Sequence, residues 1–161
     1  MAYSPFQVAR FFIERANREG KDISPMKLIK LTYIAHGWNL AFCKEPLIAE
    51  SVQAWKYGPV IESLYHSFKH YGNGSIPAKE AEAITPEEMA APVRAVLEKT
   101  WEKYSPLSAV HLSSLTHQPG TPWSQVWAEG KATRWTVIPD DRIQDFYERK
   151  LKTPAETGIG H

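Results

Sequence analysis

A chain of 161 residues with 43% hydrophobic and 23% charged content can enclose one core and is short for two. Nineteen basic residues against eighteen acidic ones leave a formal charge of +1, which excludes a general attraction to nucleic-acid phosphates. The single cysteine, Cys43, excludes an internal disulfide and a cysteine-based metal cluster, and reads as a buried structural thiol.

In chain order, the first helical pattern places Phe6, Ala9, Phe12, Ile13 and Ala16 on one face and stops near Gly20. The second starts at Pro25 and runs to about Phe42. Leu28, Leu31, Ala35, Trp38 and Phe42 form its main stripe, and Ile29, Tyr33, Ile34 and Leu40 cover much of the rest. A helix apolar nearly all round is buried on most sides, so this one reads as the central post. After Pro46, residues 47–56 favour a short strand or hairpin. Gly58-Pro59 then reads as the start of a helix reaching Tyr71, and residues 76–85 as a surface loop.

Met89, Val93, Val96, Leu97, Trp101 and Tyr104 define another helix, with Pro92 placed awkwardly inside it. A shorter helix carries Leu107, Val110, His111, Ser114 and Leu115, and one more spans residues 122–129. Residues 134–138 read as extended, and Asp140-Asp141 open a last helix carrying Ile143, Phe146, Tyr147 and Leu151. Residues 1–152 thus form one domain, mainly α with a small β element, and 153–161 a frayed tail.

One punctuation recurs: Ser4-Pro5, Ser24-Pro25, Thr85-Pro86, Ser105-Pro106, Thr121-Pro122 and Thr153-Pro154 put a capping hydroxyl directly before proline. Proline at the first helical position loses no needed donor, so the first five read as helix starts. Ser4 with Gln7 and Thr85 with Glu88 have capping-box spacing. The N-terminus shows no signal-peptide pattern, and no apolar run approaches the roughly 20 residues of a membrane helix, so the chain reads as cytoplasmic.

Chemistry-bearing constellations are sparse. His66 and His70 are four apart on a helix, but the metallohydrolase pattern also needs an adjacent Glu and a third ligand. His117 precedes a Pro-Gly turn with no orienting carboxylate and reads as a cap on the preceding helix. His36 reads as a hydrogen-bonded core residue. Arg15, Arg18, Lys21, Lys27 and Lys30 make the one basic cluster, and a DNA-binding autoregulator would use it. No catalytic residue, metal ligand or cofactor site is expected.

Four blocks stand out: Lys27 to Trp38, Ala54-Trp55-Lys56-Tyr57-Gly58-Pro59-Val60, Leu64-Tyr65, and Leu112 to His117 with Pro122-Trp123. In this order and spacing they resemble the Panacea domain of SocA-like antitoxins, also known as phage-associated proteins, from about Phe6 to about Tyr147. The chain departs from the family pattern at Thr32-Tyr33, where a leucine and an aromatic are expected. It departs again at Gln118-Pro119-Gly120-Thr121, which lengthens the interval before Pro122-Trp123. The resemblance implies a non-enzymatic antitoxin that neutralises a cognate toxin protein by direct contact. It extends to the ClpXP protease as a second partner, because the founding member delivers its toxin there; neither membrane nor nucleic acid is implied.

Large aromatics make rigid interface anchors, so the expected partner-binding residues are Trp55, Tyr57, Tyr65 and Trp123, with Lys56 as a polar rim contact. Gly58, Pro59 and His117 are expected to be structural. Within the Trp55–Pro59 block, Trp55 reads as mainly buried and Tyr57 as the better candidate for partner contact.

Overall fold

A computed structural model describes residues 2–127 and 136–152. Helix α1 (Pro5–Arg18) starts where the Ser4 hydroxyl accepts from the Phe6 N–H, and α2 (Pro25–Cys43) where Ser24 accepts from Lys27. Every residue of α2 from Leu28 to Ala41 is buried, as its all-round apolar sequence requires. Around this post stand α3 (Glu62–Phe68), α4 (Ala78–Glu82), α5 (Ala91–Tyr104), α6 (Ala109–Thr116), α7 (Pro122–Trp127) and α8 (Asp140–Lys152). Strands β1 (Val52–Trp55), β2 (Gly58–Val60) and β3 (Val137–Ile138) form an antiparallel sheet in the order β2-β1-β3. The protein is mainly α-helical with short strands.

Two contacts tie α2 to its surroundings. The Tyr147 ring of α8 packs against Gly37, where any Cβ would stand 2.2 Å from a ring carbon. Buried His36 accepts the Leu47 and Ile48 N–H groups at Nδ1, which leaves its Nε2–H to donate to Asp140 at 2.9 Å. That one ring fixes both the chain leaving α2 and the first residue of α8.

Several sequence expectations need correction. Thr85-Pro86 opens no helix, because the Gln7 side chain donates to Thr85 O and accepts from Glu87 N, tying that segment to α1. Gln7 is thereby diverted from a reciprocal capping box. Ser105-Pro106 closes α5 instead of opening α6, whose cap is Ser108, accepting from the His111 N–H at 3.1 Å. Pro92 lies in the first turn of α5, so it kinks nothing.

Residues 76–85 are not a plain loop: Ile76 hydrogen-bonds to Ile23 O and is buried, as is Ala81 of α4. On α6 the inward residues are Leu112, Ser113 and Thr116, while Val110 is exposed. Phe42 and Leu151, each at a helix end beyond the core, are exposed as well, and Cys43 is half-buried. Part of the expected 122–129 helix, residues 134–135 and the 153–161 tail lie outside the described residues.

Candidate functional site

Pro59 begins no helix. It lies in β2 opposite Ala54, whose N–H is turned to Thr136 O of the other neighbouring chain segment, so the missing proline N–H costs the sheet nothing. Lys56 and Tyr57 form the two-residue tip between β1 and β2, and helix α3 starts only at Glu62. Gly58 adopts φ +117°, a conformation open to glycine, and a Cβ there would stand 3.0 Å from Lys30 Nζ.

Three backbone carbonyls of this hairpin each receive a donor from a different helix. Trp55 O accepts from Trp123 Nε1 of α7 at 2.6 Å, Tyr57 O from Ser113 Oγ of α6 at 2.8 Å, and Pro59 O from Lys30 Nζ of α2 at 2.9 Å. Buried carbonyls need partners, and these three side chains supply them from the surrounding helices. The result is a tip fixed by its base.

Lys30 is the costliest member. It is 2% exposed and its ammonium forms no ion pair among the described residues; burial alone pulls its pKa down from the usual lysine range to about 7. The sequence groups it with a basic cluster and offers Ser113 only as part of the Leu112–His117 block. The missed signal was a lysine inside the apolar Leu28–Ala41 run.

The expected anchors divide by exposure. Trp55 is 9% exposed, donates to Gln53 Oε1 and meets the Tyr65 ring edge-on at 4.8 Å. Trp123 is 8% exposed, stacked on Trp127 at 5.2 Å, with the His117 ring 5.3 Å away. His117 donates from Nδ1 to Ser113 O and so caps the end of α6. Tyr65 is half-buried, with Lys69 Nζ over its ring. Tyr57 is 60% exposed, and Lys56 Nζ lies 5.4 Å from its ring centroid, a cation–π pair presented to solvent.

The other constellations are dispersed. Arg15 pairs with Glu98 at 2.5 Å and Lys27 donates to Ser105 O at 2.6 Å, so with Lys30 buried the basic cluster presents no continuous face. His66 pairs with Glu62 and His70 rests on Tyr71. Among the described residues no three His, Cys, Asp or Glu side chains could hold a metal, and no helix is long and apolar enough to cross a membrane.

Residues 28–124 match the family described as antitoxin SocA-like, Panacea domain. The chain belongs to that family. It is also 27% identical over 165 residues to the antitoxin SocA of Caulobacter vibrioides (strain NA1000 / CB15N), covering 95% of this chain and 87% of that protein. No solved structure matches the fold. The Panacea match contains the whole hairpin and all three of its donors, Lys30, Ser113 and Trp123.

Proposed function

We propose that this protein is a non-enzymatic antitoxin that neutralises a cognate toxin by direct binding through the tip of the β1–β2 hairpin. The observation that carries the reading is the contrast within one block: the backbone of Trp55–Pro59 is held by three helices, while Tyr57 and Lys56 project from it. A rigid aromatic on a fixed backbone loses little conformational entropy on binding, which is what an anchor needs. Family membership supports the antitoxin role. Trp55 and Trp123 act as supports of the surface, Tyr57 as its centre, and Lys56 and Tyr65 at its rim. Delivery of the bound toxin to the ClpXP protease is the finer form of this proposal, with action in the cytoplasm as its setting.

The test is growth rescue. Each gene flanking this one is induced alone and together with this chain; one should arrest growth alone and be tolerated in combination. Tyr57→Ala should abolish rescue and pull-down of that toxin while the thermal melt stays unchanged. A folded Tyr57→Ala, Lys56→Ala double variant that still binds and rescues fully would discard this surface.

A further inference from the structure

A separate cavity of about 260 Å³ opens between α2, α5, α8 and the turn joining α6 to α7. Ile34, Tyr104, Phe146, Tyr147 and Lys150 line it, together with the turn from Leu115 to Thr121 that lengthens this chain's signature segment. Its size falls below the usual range of about 300–1,000 Å³ for drug-sized ligands, which limits an occupant to roughly one ring and a short substituent.

Lys150 gives the cavity its sign, and Lys103, outside the lining, stands near enough to add to that charge. Lys150 Nζ lies 4.9 Å from the Phe146 ring centroid, and Lys103 Nζ lies 5.7 Å from that of Tyr104 and 5.5 Å from that of Trp38. Neither ammonium has a carboxylate partner among the described residues. Burial lowers the pKa of both, and the positive charge of Lys103 lowers that of Lys150 further. Behind the wall, the buried Tyr33 hydroxyl also has no hydrogen-bond partner, with its ring 6.4 Å from that of Tyr147. Aromatic faces and a lining cation reinforced by a second one nearby select an anion with a flat apolar body.

We propose that this cavity binds a small aromatic carboxylate, its ring against Tyr104, Phe146 and Tyr147 and its carboxylate taken by Lys150, with the charge of Lys103 nearby adding to the attraction. The carboxylate can come from a free small molecule or from the C-terminal phenylalanine of a polypeptide, and the two sources share the same recognition chemistry. Thr116 lines this cavity and also borders Gly58, so the ligand would sit directly behind the hairpin's support.

The experiment titrates the full chain with 3-phenylpropionate, with neutral 3-phenylpropionamide, and with a short peptide ending in phenylalanine, followed by calorimetry and by NMR shifts. Saturable binding of the acid with shifts at Leu115, Thr121, Phe146 and Tyr147 is expected, with the amide weaker by about tenfold or more. Equal or tighter binding of the peptide assigns the source to a chain terminus; weaker binding assigns it to a free molecule, and either supports the chemistry. The Lys103→Gln, Lys150→Gln double variant should bind the acid about tenfold or more weakly with an unchanged melt, because both side chains reach solvent. The proposal is overturned if the acid does not bind, if the amide binds as well, or if the double variant binds as tightly as the parent.

Discussion

Replacing Lys30 with methionine tests the support of the hairpin at its most deeply desolvated donor. Methionine keeps an unbranched chain of similar length and removes the charge. In the parent protein the Lys30 pKa is about 7 when folded, against the usual 10.5 when unfolded. Below pH 7 both states carry the proton, and the burial penalty is present in full, at most about 5 kcal/mol for a shift of this size. Between pH 7 and 10.5 the unfolded state holds a proton that the folded state has released, so stability rises with pH. By pH 9 the gain is about 3 kcal/mol.

The Lys30→Met variant lacks this term and leaves Pro59 O without a donor, a loss of about 1–3 kcal/mol at every pH. Urea unfolding of both proteins at pH 6 and pH 9 should therefore show their difference moving toward the parent by about 3 kcal/mol. The buried tyrosines Tyr33, Tyr104 and Tyr147 are common to both proteins and cancel in that difference. A difference that stays constant within about 0.5 kcal/mol would refute a desolvated, unpaired Lys30 ammonium.

Trp123→Phe keeps a ring but removes the donor to Trp55 O, and should cost about 1–3 kcal/mol in urea unfolding and weaken toxin capture through a loosened tip. Trp55→Ala empties a buried site and should cost about 3–5 kcal/mol, whereas Tyr57→Ala, at an exposed position, should stay within about 0.5 kcal/mol in the same assay. Gly37→Ala drives a methyl into the Tyr147 ring and should lower the melting temperature even though alanine favours helix, at a cost of about 1–3 kcal/mol or more. Above pH 10 the raised pKa values of Tyr33, Tyr104 and Tyr147 reverse the earlier trend: the unfolded tyrosines ionise while the folded ones stay protonated. Stability should then fall with pH, read as a declining urea midpoint.

The central helix was legible because its signal is local: Ser24-Pro25 sets its start, and apolar side chains on every face of residues 28–41 leave it no solvent side. The Asp140-Asp141 start of α8 was legible for the same kind of reason. Thr85-Pro86 and Ser105-Pro106 carried an equally good local signal and start no helix, because Gln7 claims one backbone segment and Ser108 supplies the other cap. Local propensity amounts to about 1 kcal/mol at a cap, so a distant side chain such as Gln7 or a better-placed neighbour such as Ser108 can override it.

By itself the sequence determined a mainly helical protein around one buried post, and, through four ordered blocks, its kinship with the SocA-like antitoxins. It also placed Trp55 inward within the signature. Only the tertiary structure decided that Gly58-Pro59 is a strand, and that Lys30 belongs to the core instead of a basic face. The same holds for the carbonyls of Trp55, Tyr57 and Pro59, which are satisfied by residues 29 to 68 positions away. The physical reason is that a backbone carbonyl carries no residue-specific label, so the sequence cannot say which side chain will reach it until the helices are packed.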